Sequence, residues 1–150
     1  MPDASPAQPP SDTPATETQS FDVDRREVER LDAWIEAVGQ RWGAGEKTIF
    51  GARLCVAELF ANVIEHGVAT SDRPRVTVTL ARRPDGIGVE FVDSCARFDP
   101  TAVAAPAQGD SIESATIEGR GLMLVRAYAK ELAHHHDGSG NHVSLRIEAG

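Results

Sequence analysis

A chain of 150 residues, with 23 acidic against 15 basic side chains and a net charge of -8, has room for one domain whose core folds without staples. That charge argues against nucleic-acid binding driven by phosphate neutralisation. There are two cysteines, Cys55 and Cys95, and the first lies inside an apolar run, so no disulfide framework is expected and a reducing cytoplasm is the better setting. The start, "MPDASPAQPP", has no apolar stretch behind a basic one, so no signal peptide is expected. No apolar run approaches the ~20 residues that a membrane span requires.

Residues 1–20 hold five of the nine prolines and, apart from Met1, no apolar residue larger than alanine. Such a segment cannot offset its ordering entropy by burial, and a disordered tail is predicted over 1–20, with the domain at 21–150. Val28, Leu31, Ile35, Val38 and Trp42 recur at helical steps and predict a first helix. Trp34 and Trp42 on it are expected to pack in the core. "WGAGEK" ends that helix, and a second is predicted from Glu46 to His66, stopped by Gly67. "RVTVTL" (75–80) alternates as a half-buried strand, "RRPDG" turns, and "IGVEFVD" (87–93) returns. The stretch 100–118 is predicted to be a long loop, a third helix to span Gly121 to Leu132, and "HHHDGSGNHVSLRI" to close the chain as a hairpin turning at 137–140. This order predicts an α/β fold in two layers, one sheet covered on one face by helices.

Within "LCVAELFANVIEHG" (54–67) an otherwise apolar helix is interrupted by Glu58, Asn62 and His66 at steps of four. Steps of four drift by only about 40° around a helix, so the three side chains form one polar column. A solvated strip would account for Glu and His. Asn is a poor helix-interior residue, and Glu with Asn makes a hard-oxygen setting suited to Mg²⁺. Two further stretches add weight. "FVDSCARFDP" (91–100) places Asp93 where a strand enters a turn, and "EGRGLMLV" (118–125) places two glycines before a helix, an arrangement that favours phosphate. There is no Walker A sequence, and "GIG" at 86–88 is too short for a dinucleotide fingerprint.

Together these segments resemble the N box and the two glycine boxes of the GHKL ATPase superfamily, and within it the small serine-kinase anti-sigma factors of bacterial partner-switching systems. The resemblance covers roughly residues 21–148. It implies the GHKL/Bergerat fold, a two-layer α/β sandwich with a mixed, mostly antiparallel sheet, ATP between the helices and a lid at about 101–118. It assigns Glu58 as general base, Asn62 as the Mg²⁺ ligand and Asp93 as acceptor for the adenine amine. Gly119 and Gly121 fall at backbone positions facing the triphosphate, and His66, Cys95, Phe98, Arg120 and Leu122 complete the ATP-binding candidates. The implied substrate is a serine on a STAS-domain anti-anti-sigma protein. The implied partners are a sigma factor or another output protein and a second copy of the chain.

Two positions depart from the pattern: Cys95 and Glu118 stand where the boxes have glycine. A left-handed conformation at Cys95 would cost about 1–2 kcal/mol, roughly tenfold in affinity. A negative charge at Glu118 would repel a triphosphate. These departures favour a second reading, a non-catalytic partner-binding module with a weakened nucleotide site. A third, the detached catalytic domain of a sensor histidine kinase, is disfavoured because no phosphoacceptor helix is present and Ala57 precedes Glu58. The run His134–His136, even with His142, reads as an incidental polar edge strand rather than a zinc site, since only His134 and His136 share a face.

Overall fold

The computed structural model describes residues 15–99 and 117–149. In chain order these form strand β1 (Thr16–Asp22), a single 3₁₀ turn at Arg25–Glu27, helices α1 (Val28–Arg41) and α2 (Glu46–His66), strands β2 (Arg75–Arg83) and β3 (Gly86–Asp93), helix α3 (Ile117–Tyr128), and strands β4 (Ala129–Asp137) and β5 (Gly140–Glu148). The five strands make one sheet in the order β1-β2-β3-β5-β4. Every neighbouring pair in it is antiparallel, so the described sheet is not mixed.

Strand periodicity decides which side chains meet the helices. Val76, Val78 and Leu80 on β2, Ile87, Val89 and Phe91 on β3, and Val143, Leu145 and Ile147 on β5 are all buried at alternate positions. Against them pack Leu31, Ile35 and Val38 of α1, then Ala52, Cys55, Val56, Leu59, Phe60 and Val63 of α2, with Val125 of α3. The opposite face of the sheet carries polar side chains, among them the paired hydroxyls Thr18–Thr79 and Ser20–Thr77. The predicted α/β sandwich with helices on one face is what forms. Among the described residues no helix is long and apolar enough to cross a membrane.

Two expectations need correction. The tail predicted over residues 1–20 ends too late: Thr16–Asp22 is an edge strand paired with β2 along its length, and residues 1–14 lie outside the described residues. "TETQS" buries little, and its order comes from the backbone ladder rather than from apolar area, which composition does not report. Phe21 at its end is fully buried, under the Arg30 guanidinium 4.4 Å from its ring centroid.

The third helix was predicted over Gly121–Leu132, but α3 ends at Tyr128 and "AKEL" belongs to β4. Those four residues are strong helix formers, overridden here by pairing of Ala129 and Lys130 with Ile147 and Arg146. The conflict surfaces as a register shift between Lys130 and Ala133, where Glu131 takes a left-handed φ of 56°.

Candidate functional site

The alternation that buries Val89 and Phe91 continues to Asp93, so a carboxylate stands on the core-facing side of the sheet at the last position of β3, 6 % exposed. Its partner in the ladder is Asn141, 1 % exposed at the same level of β5. Buried polar groups of this kind require partners, and these two supply each other. Asp93 Oδ1 accepts from the Cys95 backbone N–H and from Asn141 Nδ2, both at 2.9 Å. The same amide donates to the Ala96 carbonyl at 2.8 Å, and its oxygen accepts from the Phe98 N–H at 2.9 Å. Asn141 therefore clasps the whole turn from Cys95 to Phe98.

His134, its side chain 2 % exposed, donates from Nε2 to Asn141 Oδ1 at 3.0 Å and turns Nδ1 toward Asp99 at 3.5 Å. Sequence reasoning missed both Asn141 and His134. The available signal was parity: an Asn at a core-facing position of a strand, opposite a core-facing Asp. Next to Asn141, Gly140 has φ +128°, and a Cβ there would lie 1.8 Å from the Asp93 carbonyl oxygen, so only glycine lets the β4–β5 turn close onto the end of β3.

On α2, Glu58 and Asn62 are half-buried one turn apart, while His66 is exposed at the end of the helix. His66 stacks on Phe98, ring centroids 5.7 Å apart at 22°, so the polar column ends against the turn that Asn141 holds. Further contacts join the same two elements. Ala69 bridges Cys95, the Ala96 N–H donates to the Val68 carbonyl at 2.8 Å, and a Cβ on Gly67 would stand 3.2 Å from Cys95 Sγ.

Burial, and then the charge of Glu65, push the Glu58 carboxyl above its usual range. Burial likewise raises Cys55, to about 12 with help from Glu58, and raises Cys95 with help from Asp93, so both free thiols are held in the neutral form.

Cys95 has a negative φ, because Glu131 is the only non-glycine residue with a positive one among the described residues. The strain expected from cysteine in place of glycine is absent, and the thiol instead fills the space beside Gly67. The second glycine segment also differs from expectation. α3 starts at Ile117, so Gly119, Arg120, Gly121 and Leu122 lie within its first two turns rather than ahead of it. The backbone N–H groups of the first four residues of a helix have no acceptor within it, and for α3 these are residues 117–120. The proposed lid at 101–118 lies almost wholly outside the described residues.

The donor set fits an adenine nucleotide. Among the described residues, both bonds that Asp93 accepts fall on Oδ1, leaving Oδ2 as an acceptor for an exocyclic amine. The His66–Phe98 pair offers an aromatic wall, α3 offers an N-terminal helix end, and Asn62 offers an oxygen to a divalent cation.

The clasp has a measurable cost. Asn141→Leu keeps the branched shape but strands the Ala96 carbonyl and the Phe98 N–H, and leaves Asp93 Oδ1 with the Cys95 N–H alone. A loss of about 2–4 kcal/mol is expected, lowering Tm by roughly 5–10 °C. A drop below about 2 °C in thermal unfolding would show that the turn is held by other means.

Residues 21–147 match the family model of the histidine kinase-like ATPase domain, and the chain belongs to that family. Such a domain implies ATP binding. Over 114 residues the chain is 27% identical to the serine/threonine-protein kinase BtrW of Bordetella bronchiseptica, covering 75% of this chain and 79% of that one. In structure it is similar to the RsbU and RsbW domains of Rv1364c from Mycobacterium tuberculosis, with a TM-score of 0.63 at 18% identity. That likeness covers 89% of this chain and 32% of the other, so the chain spans about a third of that solved chain, and the likeness bears on fold alone.

Proposed function

We propose that the chain is an ATP- and Mg²⁺-dependent protein serine kinase of the bacterial cytoplasm. Its substrate is a STAS-domain antagonist, and it also sequesters an output partner such as a sigma factor. The observation that carries this reading is the core-facing Asp93, oriented by the Cys95 N–H and Asn141, at a turn against which the Glu58–Asn62–His66 column ends. Family membership and the relation to a serine/threonine-protein kinase support it.

In this reading Asp93 accepts from the adenine amine, and Asn62 helps hold a Mg²⁺ that neutralises phosphate charge. The N–H groups of the first turn of α3 face the phosphates. Glu58 takes the proton of the substrate serine as that oxygen bonds to the γ-phosphorus and the bond to the bridging oxygen breaks. A carboxyl raised by burial is a better proton acceptor than an exposed one, and phosphoryl transfer otherwise asks mainly for positioning. The unstrained Cys95 removes one of the two grounds for a disabled site.

Incubation with γ-labelled ATP, Mg²⁺ and the cognate STAS protein tests the reading. Label on a serine of the STAS protein is expected. Tight complex formation without label would make the chain a binding module instead.

A further inference from the structure

We propose that the β4–β5 hairpin holds a site for a borderline transition-metal ion such as Zn²⁺, built by His135, Asp137 and His142 on the sheet face away from the helices. His135 and His142 are direct partners across the antiparallel ladder, so they share a face, and their rings stack with centroids 4.4 Å apart at 9°. Asp137, where the turn begins, brings Oδ1 to 3.0 Å from His142 Nε2 and Oδ2 to 3.9 Å from His135 Nε2. One ligand atom from each residue lies within 4.8 Å of the other two. Tetrahedral zinc, with bonds of about 2.0–2.2 Å, holds its ligand atoms about 3.3–3.6 Å apart, so modest side-chain rotation on a short hairpin closes the site.

The outer contacts favour an ion as well. His142 Nδ1 faces Glu90 Oε2 on β3 at 3.7 Å, while its Nε2 is turned into the hairpin, 2.9 Å from the Ser139 hydroxyl and 3.0 Å from Asp137 Oδ1, where a metal would replace the Ser139 contact. Asp137 accepts from the Ser139 hydroxyl and N–H at 2.7 and 2.8 Å, both on Oδ1, and these bonds fix the carboxylate beside the two imidazoles. Two imidazoles and one carboxylate select a transition ion over Mg²⁺, whose ligands are oxygens. A fourth position stays open, since His135 is 66 % and Asp137 51 % exposed.

The site is separate from the Mg²⁺ position assigned to Asn62 on α2. It shares its hairpin with the clasp: His134 and Asn141, each next in sequence to a ligand, point to the other face. An ion that ties the turn together stiffens the element that holds Asp93, so zinc is expected to raise Tm.

The test uses the full chain, free of any affinity tag and treated with chelator, titrated with Zn²⁺ against a chromogenic zinc indicator in excess Mg²⁺. Stoichiometric binding at micromolar affinity or tighter is expected, with X-ray absorption showing nitrogen and oxygen ligands. His135→Gln, His142→Gln and Asp137→Asn should each weaken binding by about 10-fold or more. All three positions lie outside the apolar core, and unchanged thermal unfolding of the metal-free variants confirms their fold. Were one of the histidine variants to unfold, Asp137→Asn, which keeps an oxygen for Ser139, carries the test alone. No binding below about 100 µM, sulfur ligation, or equal affinity in folded variants would overturn the proposal.

Discussion

Glu58→Gln is expected to keep ADP and ATP affinity within about twofold of the parent chain while phosphate transfer to the STAS substrate falls by about 10²–10⁴. Glutamine preserves the length and most of the packing of a half-buried side chain but accepts no proton at neutral pH. The substitution also has a stability signature that separates a poised base from a surface carboxylate. Burial and Glu65 raise the folded-state value for Glu58, so ionising it costs more in the fold than in the unfolded chain. Its favourable contribution is therefore complete below the ordinary carboxylate range and is lost as pH rises through the raised folded value. The variant's Tm should match the parent's at acid pH and exceed it increasingly toward neutrality. Transfer unaffected by the substitution would remove Glu58 from the chemistry.

Asp93→Asn is expected to weaken ADP binding by roughly 30- to 150-fold, the loss of about 2–3 kcal/mol for a hydrogen bond to a charged group. The asparagine oxygen can still accept from the Cys95 N–H and Asn141, as Asp93 Oδ1 does, so the turn survives. What changes is the outward atom. An amide NH₂ now confronts the adenine amine, donor against donor, where the carboxylate accepted. The same NH₂ suits the carbonyl oxygen of guanine, so the preference for adenine over guanine nucleotides should narrow sharply. Calorimetry with ADP and GDP on both chains reads this directly. An Asp93→Asn chain that discriminates as well as its parent would show that the carboxylate does not read the base.

Much of this site was legible because it breaks a pattern. Glu58, Asn62 and His66 interrupt an apolar helix at one spacing, and Asp93 ends a strand whose alternation puts it inward. The elements that carry them run where periodicity placed them, α2 from Glu46 to His66 without change. Illegible were the features that depend on which strands become neighbours. Asn141 acquires its role only because β5 lies beside β3, and nothing local in "GNHVS" announces that. His134 read as part of an incidental polar edge strand, on one face with His136, yet pairing with β5 turns it inward and sends His135 outward to meet His142. The end of α3 was misjudged for the same reason, since "AKEL" has helical propensity and a strand's place in the sheet. Cys95 taught the reverse lesson: a residue that departs from a glycine pattern carries no penalty when its backbone has a negative φ.

The claim beneath these expectations is that the end of β3, the column on α2 and the start of α3 bind one adenine nucleotide with a divalent cation. Isothermal calorimetry of the full chain with ADP, in Mg²⁺ and again in excess EDTA, addresses it most directly. Saturable heat at micromolar ADP that weakens at least about tenfold in EDTA is the predicted result. Heat that is absent up to about millimolar ADP with Mg²⁺ present would contradict the account.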